Sequence, residues 1–175
     1  MSVHLSAAAG TLATPGLEAV AAAALEEVRR GREVAPERSI DVILADDELL
    51  ADLNQRFRGR AGATDVISFP LDDASVAVGD ACRAAAPIGE VYISLQRARE
   101  QAERYGASLA EEVARLVIHG ALHLLGFDHI EAEDAARMKP LEEQYWRRWW
   151  ALHQDEPGEG AERGRAARPS GERRS

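Results

Sequence analysis

A chain of 175 residues is long enough for one domain with its own core. Its 46% hydrophobic and 29% charged residues suit a globular protein; the lone cysteine, Cys82, excludes an internal disulfide, and no apolar run approaches the roughly 20 residues of a membrane span. A formal charge of −9 argues against binding nucleic acid over the whole surface and leaves room for a local basic groove.

In chain order, Gly16 to Arg30 predicts a helix. Leu17, Val20, Ala21, Ala24, Leu25 and Val28 recur at helical spacing, Pro15 precedes the first turn, and Gly31 marks the stop. Ser39 to Ala45 alternates and is rich in β-branched residues, which predicts a strand. Asp46 then caps a helix carrying Leu49, Leu50, Leu53 and Phe57. Its end, Arg56-Phe57-Arg58-Gly59-Arg60, holds three arginines and no acid. That cluster reads either as cations complementing the helix dipole or as a local basic surface. Gly59 to Ala63 is a loop, and Thr64 to Phe69 is a strand stopped by Pro70.

Leu71 to Pro87 is rich in Asp, Ala and Gly and predicts a mobile loop. Ile88 to Leu95 is another strand, and Ser94 begins a helix through Tyr105. Ser108 and Glu111 form a capping-box pattern. The helix they open is apolar on nearly every side after Arg115, which predicts a buried element. Ile130 to Leu152 is a last helical segment that Pro140 should kink or split. Trp146, Trp149 and Trp150 are expected to pack that segment onto the body. Asp155 to Ser175 has almost nothing apolar, and its five acids balance five arginines, so it reads as a disordered tail. Residues 1–154 are expected to form the single domain. Three strands alternating with helices, and a candidate fourth at Ser2 to Leu5, predict an α/β or α+β fold around one small sheet. No basic n-region precedes an apolar stretch in Met1 to Leu12, so the cytoplasm is the expected compartment.

Of the chain's five histidines, three fall between His119 and His129. His119 and His123 are four apart, so a helix presents both imidazoles on one face. Gly126 can adopt the left-handed backbone that ends a helix, which lets the chain return His129 toward the pair. Two separate buried histidines would each need a partner; one ion satisfies both. Three imidazoles with a fourth position open describe a catalytic zinc site. Nickel, copper or iron would also bind imidazole. Such an ion activates water near neutral pH, which makes hydrolysis the natural chemistry.

The spacing resembles the metzincin pattern His-Glu-x-x-His-x-x-Gly-x-x-His, with one difference: Gly120 stands where the catalytic glutamate belongs. A glycine cannot act as a general base, so a peptide is not the expected substrate.

His119 to His129 fits His-Gly-x-Leu-His-Leu-x-Gly-aromatic-Asp-His and resembles the signature of the bacterial YbeY family of rRNA maturation endoribonucleases. Leu53-Asn54, Phe57-Arg58-Gly59 and Thr64-Asp65-Val66-Ile67-Ser68-Phe69-Pro70 resemble the family's upstream motifs, as does Gly89-Glu90-Val91-Tyr92-Ile93-Ser94. Glu90 replaces the usual aspartate. The resemblance implies a small mixed four-stranded sheet with a buried central His-bearing helix and a metzincin-like zinc site. It implies one zinc ion on His119, His123 and His129, and Arg58 as the functional arginine. The implied activity is single-strand-directed endoribonuclease in 3′-end maturation of small-subunit rRNA and in ribosome quality control. The implied partners are rRNA, the small ribosomal subunit and its assembly factors, with no membrane and no DNA. RNA is expected to lie between the Arg58 region and the metal, with Arg56 and Arg60 as further RNA contacts. Asp128 either orients an imidazole or caps the following helix. A zinc peptidase and an assembly factor with structural zinc are the alternative readings.

Overall fold

The computed structural model describes residues 2–5, 15–71, 86–127 and 132–153. Most of the expected 71–87 loop and all of the expected tail lie outside the described residues. The elements run β1 (Ser2–Leu5), α1 (Leu17–Gly31), β2 (Ile40–Ala45), α2 (Asp47–Arg58), β3 (Val66–Pro70), β4 (Gly89–Ser94), α3 (Leu95–Tyr105), α4 (Leu109–Leu124) and α5 (Ala132–His153).

The mixed sheet centres on β4. β2 pairs with it in parallel, β3 pairs with it antiparallel, and β1 lies parallel along the far side of β2, in the order β1-β2-β4-β3. Register places Ser68 and Val42 on either side of Val91. Because strand side chains alternate, this register also sorts the two faces. Ile40, Val42, Leu44, Val91 and Ile93 are buried against the larger core, with α1 and α4. Ile43, Ala45, Ile67, Phe69 and Tyr92 face the other way and pack with Leu49, Leu50 and Leu53 of α2. The helix α4 and the helix α2 therefore cover opposite faces.

Local capping chemistry sets the helix starts. Asp46 Oδ1 accepts from Leu49 N at 2.9 Å, and Ser94 Oγ accepts from Arg97 N at 3.1 Å. Ser108 and Glu111 make both bonds of a capping box at the start of α4. Its inward residues, from Val113 through Leu122, are buried between sheet and helices, as its apolar sequence requires.

Three boundaries differ from the sequence pattern for reasons outside the local chain. Gly31 is the last residue of α1, one position beyond the expected end, and Arg32 is the C-cap. A Cβ there would fall inside contact distance of the Tyr145 ring, so this glycine serves a close approach of α5. β3 starts at Val66, two residues late, because the Asp65 side chain accepts from Val66 N at 2.9 Å and turns the chain into the strand. It also takes in Pro70, which the edge position of β3 tolerates. Pro140 does not split α5, which runs from Ala132 to His153. The cost of an internal proline, about 3 kcal/mol, is offset by the burial of Met138, Tyr145 and Trp149 along the same helix, each contributing roughly 1.5–3 kcal/mol. Trp149 is buried and Trp146 packs against the core, as expected of a docked terminal helix. No described helix is long and apolar enough to cross a membrane.

Candidate metal centre

α4 brings His119 and His123 together as their four-residue spacing requires. Their Nε2 atoms are 3.1 Å apart and their ring planes are inclined at 72°. On the far side of the first ring, His119 Nδ1 lies 2.7 Å from Glu142 Oε1 of α5. An ionised carboxylate only accepts, so a proton sits on Nδ1, and in that tautomer the lone pair of Nε2 faces His123. Facing nitrogen lone pairs at this separation repel unless a proton or a cation lies between them. Two ligands at about 2.0–2.1 Å from one tetrahedral ion stand roughly 3.3–3.4 Å apart. The pair therefore fits two adjacent corners of such an ion, and zinc suits imidazole donors.

The remaining corners are not assembled by the described residues. No group of three or more His, Cys, Asp or Glu side chains gathers at metal-holding distance among them. His129 and Asp128 lie outside the described residues, so the three-histidine, metzincin-like site stands as an expectation. The turn that precedes them is described. Gly126, at φ 84°, occupies the left-handed position. Its N–H donates to His123 O at 3.0 Å and that of Phe127 donates to Leu122 O at 3.1 Å, a Schellman closure that reverses the chain.

Gly120, between His119 and His123, is buried under the sheet. Ser68 Oγ donates to its carbonyl at 3.2 Å. A Cβ at Gly120 would stand 2.5 Å from Val91 Cγ1 and 3.1 Å from Ser68 Oγ. No glutamate fits where the metzincin base would project. The missing base is thus built into the helix–sheet contact.

Arg58 ends α2 and is exposed, with Gly59 (φ 65°) turning the chain behind it. Its side chain has no hydrogen bond or ion pair among the described residues. Arg56 is paired with Asp52 at 2.8 Å, which reduces its charge toward a ligand. Arg60 is exposed and is anchored by its backbone N–H on Asn54 O. Arg58 and the histidine pair belong to elements on opposite faces of the sheet. Both elements meet β3, the edge strand: Phe57 packs on Phe69, and the adjacent Ser68 bonds Gly120. The structure brings the two histidines together and places Arg58 on α2, which packs on the opposite face of the sheet.

Two supporting groups escape a reading of the sequence. Glu142 is 23 positions from His119 and lies on another helix, and only its place beside an apolar helical stripe marks it. Asp65 begins a polar chain under β3. It accepts from Gln101 Nε2 at 2.8 Å, and Gln101 Oε1 in turn accepts from Arg115 Nη2 at 3.1 Å. Burial alone would raise the Asp65 carboxyl. Hydrogen bonds from Gln101, Val66 N–H and Thr64, with the charge of Arg115, outweigh burial and hold it below the usual aspartate value.

Residues 6–149 match the family model described as Endoribonuclease YbeY. An Endoribonuclease YbeY from Caldanaerobacter subterraneus subsp. tengcongensis is 40% identical over 138 residues, 76% of this chain and 87% of that protein. The protein of the same name from Salinispora tropica is 36% identical over 155 residues, 85% of this chain and 96% of its own length. A solution structure of a Thermotoga maritima protein superposes with a TM-score of 0.61 at 26% identity, covering 94% of this chain and 99% of that one.

Proposed function

The chain belongs to the YbeY endoribonuclease family, and on that premise we propose that it is a zinc-dependent hydrolase of RNA phosphodiester bonds, cutting single-stranded RNA in 3′-end maturation of small-subunit rRNA and in ribosome quality control. The observation that carries the metal chemistry is the facing Nε2 pair of His119 and His123, backed by Glu142. His129 is the third ligand in this reading, and Asp128 the residue placed to orient an imidazole. A zinc ion held there would supply Lewis acidity beside the scissile phosphodiester.

The other steps belong to the chain's own side chains. Arg58 presents a planar fork with no competing acid among the described residues, suited to grip a phosphate oxygen and neutralise charge that builds at phosphorus. Arg60 and Arg56 extend the positive edge along the backbone of the strand. Gly120 offers no carboxylate at the position of the metzincin base, which counts against the peptidase reading. The natural partners are rRNA within the small ribosomal subunit and its assembly factors, in the cytoplasm.

The experiment is cleavage of unstructured rRNA fragments, with casein as the control, by zinc-loaded protein. RNA but not casein is expected to be cut. Arg58→Glu should abolish cleavage and leave zinc content unchanged; His123→Ala should lose both. A His123→Ala variant that still cuts RNA at the wild-type rate would overturn the metal-dependent reading. One that rescues ribosome maturation without cutting would favour an assembly role with structural zinc.

A further inference from the structure

Phe57 is 66% exposed, the residue before Arg58 and the most exposed ring at the sheet edge. Large apolar rings are usually withdrawn from water, and this one is not free to withdraw. Its edge rests on Phe69 with ring centroids 4.8 Å apart at 61°, and Phe69 rests in turn on Tyr92 at 5.8 Å and 78°. The three rings form a stair from the sheet out to solvent. Tyr92 is tied by its hydroxyl, which donates to Glu90 at 3.0 Å. The αL turn at Gly59 fixes the backbone directly behind Phe57. The outer ring is thus backed by Phe69 on one side and left bare on the other.

Its surroundings are cationic in a chain of net charge −9. Arg56 and Arg58 flank it in sequence and Arg60 follows three positions on; Arg56 is paired with Asp52, whereas the side chains of Arg58 and Arg60 have no ion pair among the described residues. An exposed, supported ring beside the unpaired guanidinium of Arg58 is the combination that single-stranded nucleic acid recognises: the ring stacks a base and the cation holds its phosphate. A double helix offers no free base face to such a ring. A protein partner of this patch would need acidic groups around an apolar contact, and only the nucleic acid supplies a planar base and an adjacent phosphate in every repeat.

We infer that Phe57 is a stacking platform for one unpaired nucleobase of the RNA, next to the phosphate held by Arg58. The inference rests on the endoribonuclease reading and adds a positioning residue to it. The platform selects unpaired RNA through the exposed base and sets the register of the strand across β3 toward the histidine pair. Because every base has a π-face, it adds affinity without choosing a sequence.

The test is binding of a short unstructured RNA carrying 2-aminopurine, followed by anisotropy and by quenching of the 2-aminopurine as it stacks. Removing one stacked base contact weakens binding by about 5- to 150-fold. Phe57→Ala and Phe57→Leu should both fall in that range and lose the quenching. Phe57→Trp should keep both. Phe57→Leu retains an apolar contact to Phe69, so a purely structural role would leave its RNA affinity intact. Wild-type affinity and quenching in Phe57→Leu overturn the inference, including the case where that variant instead loses association with small ribosomal subunits, which would make the face a protein contact. Wild-type protein that binds no RNA sinks the endoribonuclease reading and this inference together. Wild-type binding with unchanged variants sinks this inference alone.

Discussion

Glu142 accepts from His119 across the α4–α5 contact at 2.7 Å, and this bond decides which nitrogen of His119 is offered to an ion. A carboxylate behind a ligating imidazole fixes its tautomer and raises its basicity. Glu142→Ala should therefore weaken zinc binding by about 10- to 100-fold, measured by competition with a chromophoric chelator. Glu142→Gln keeps an acceptor oxygen and should lose less. Equal affinities for wild type and Glu142→Ala would show that the bond has no part in holding metal.

The buried glycine between His119 and His123 gives a stability prediction. Gly120→Ala gains about 1 kcal/mol of helix propensity but forces a methyl against Val91, whose β-branched side chain has little room to turn. Overpacking typically costs about 1–3 kcal/mol. The net result should be a lower midpoint in urea unfolding. Gly120→Glu should be still less stable and should gain no activity on casein; a stable, casein-cutting Gly120→Glu would refute the steric account.

A similar collision links the two ends of the fold. Gly31→Ala places its methyl against Cε1, Cζ and Oη of Tyr145, a buried ring. The expected loss is again about 1–3 kcal/mol. Shortening the opposing side chain in Gly31→Ala/Tyr145→Leu should cost less than the sum of the two single changes, because the clash is gone. Strict additivity in calorimetry would separate the two residues.

Asp65 predicts how stability depends on pH. Its folded carboxyl titrates below its unfolded value, so the contribution is complete above the unfolded value and disappears as pH falls through the folded one. Asp65→Asn should be less stable than wild type at pH 7. It also turns an amide donor toward Gln101, whose own donor is already committed there. The gap between the two proteins should narrow as pH falls below about 4, the ordinary aspartate range. A gap that stays constant down to about pH 3 would mean that the charge on Asp65 contributes nothing.

Features that depend on neighbouring residues are legible in the amino-acid sequence alone. Asp46, Ser94 and the Ser108–Glu111 box mark helix starts because a cap is a contact within one turn. The i, i+4 histidines share a face and Gly126 ends the helix for the same local reason. The motifs that resemble the YbeY family are equally readable, and the family match over residues 6–149 bears that resemblance out.

Only the tertiary structure decided the contacts of Glu142, Gly31 and Gly120, the linkage of Asp65 through Gln101 to Arg115, and the packing of α2 and α4 on opposite faces of the sheet. Each depends on which elements lie side by side. Periodicity tells a helix which stripe to bury but not which residue of a distant element will meet it. Gly31 ends α1 as its local sequence suggests, but its lack of a side chain also serves Tyr145, more than a hundred positions later, whose ring a Cβ there would meet. Contacts of that kind arise when separate apolar faces pack, and no short window of sequence contains both partners.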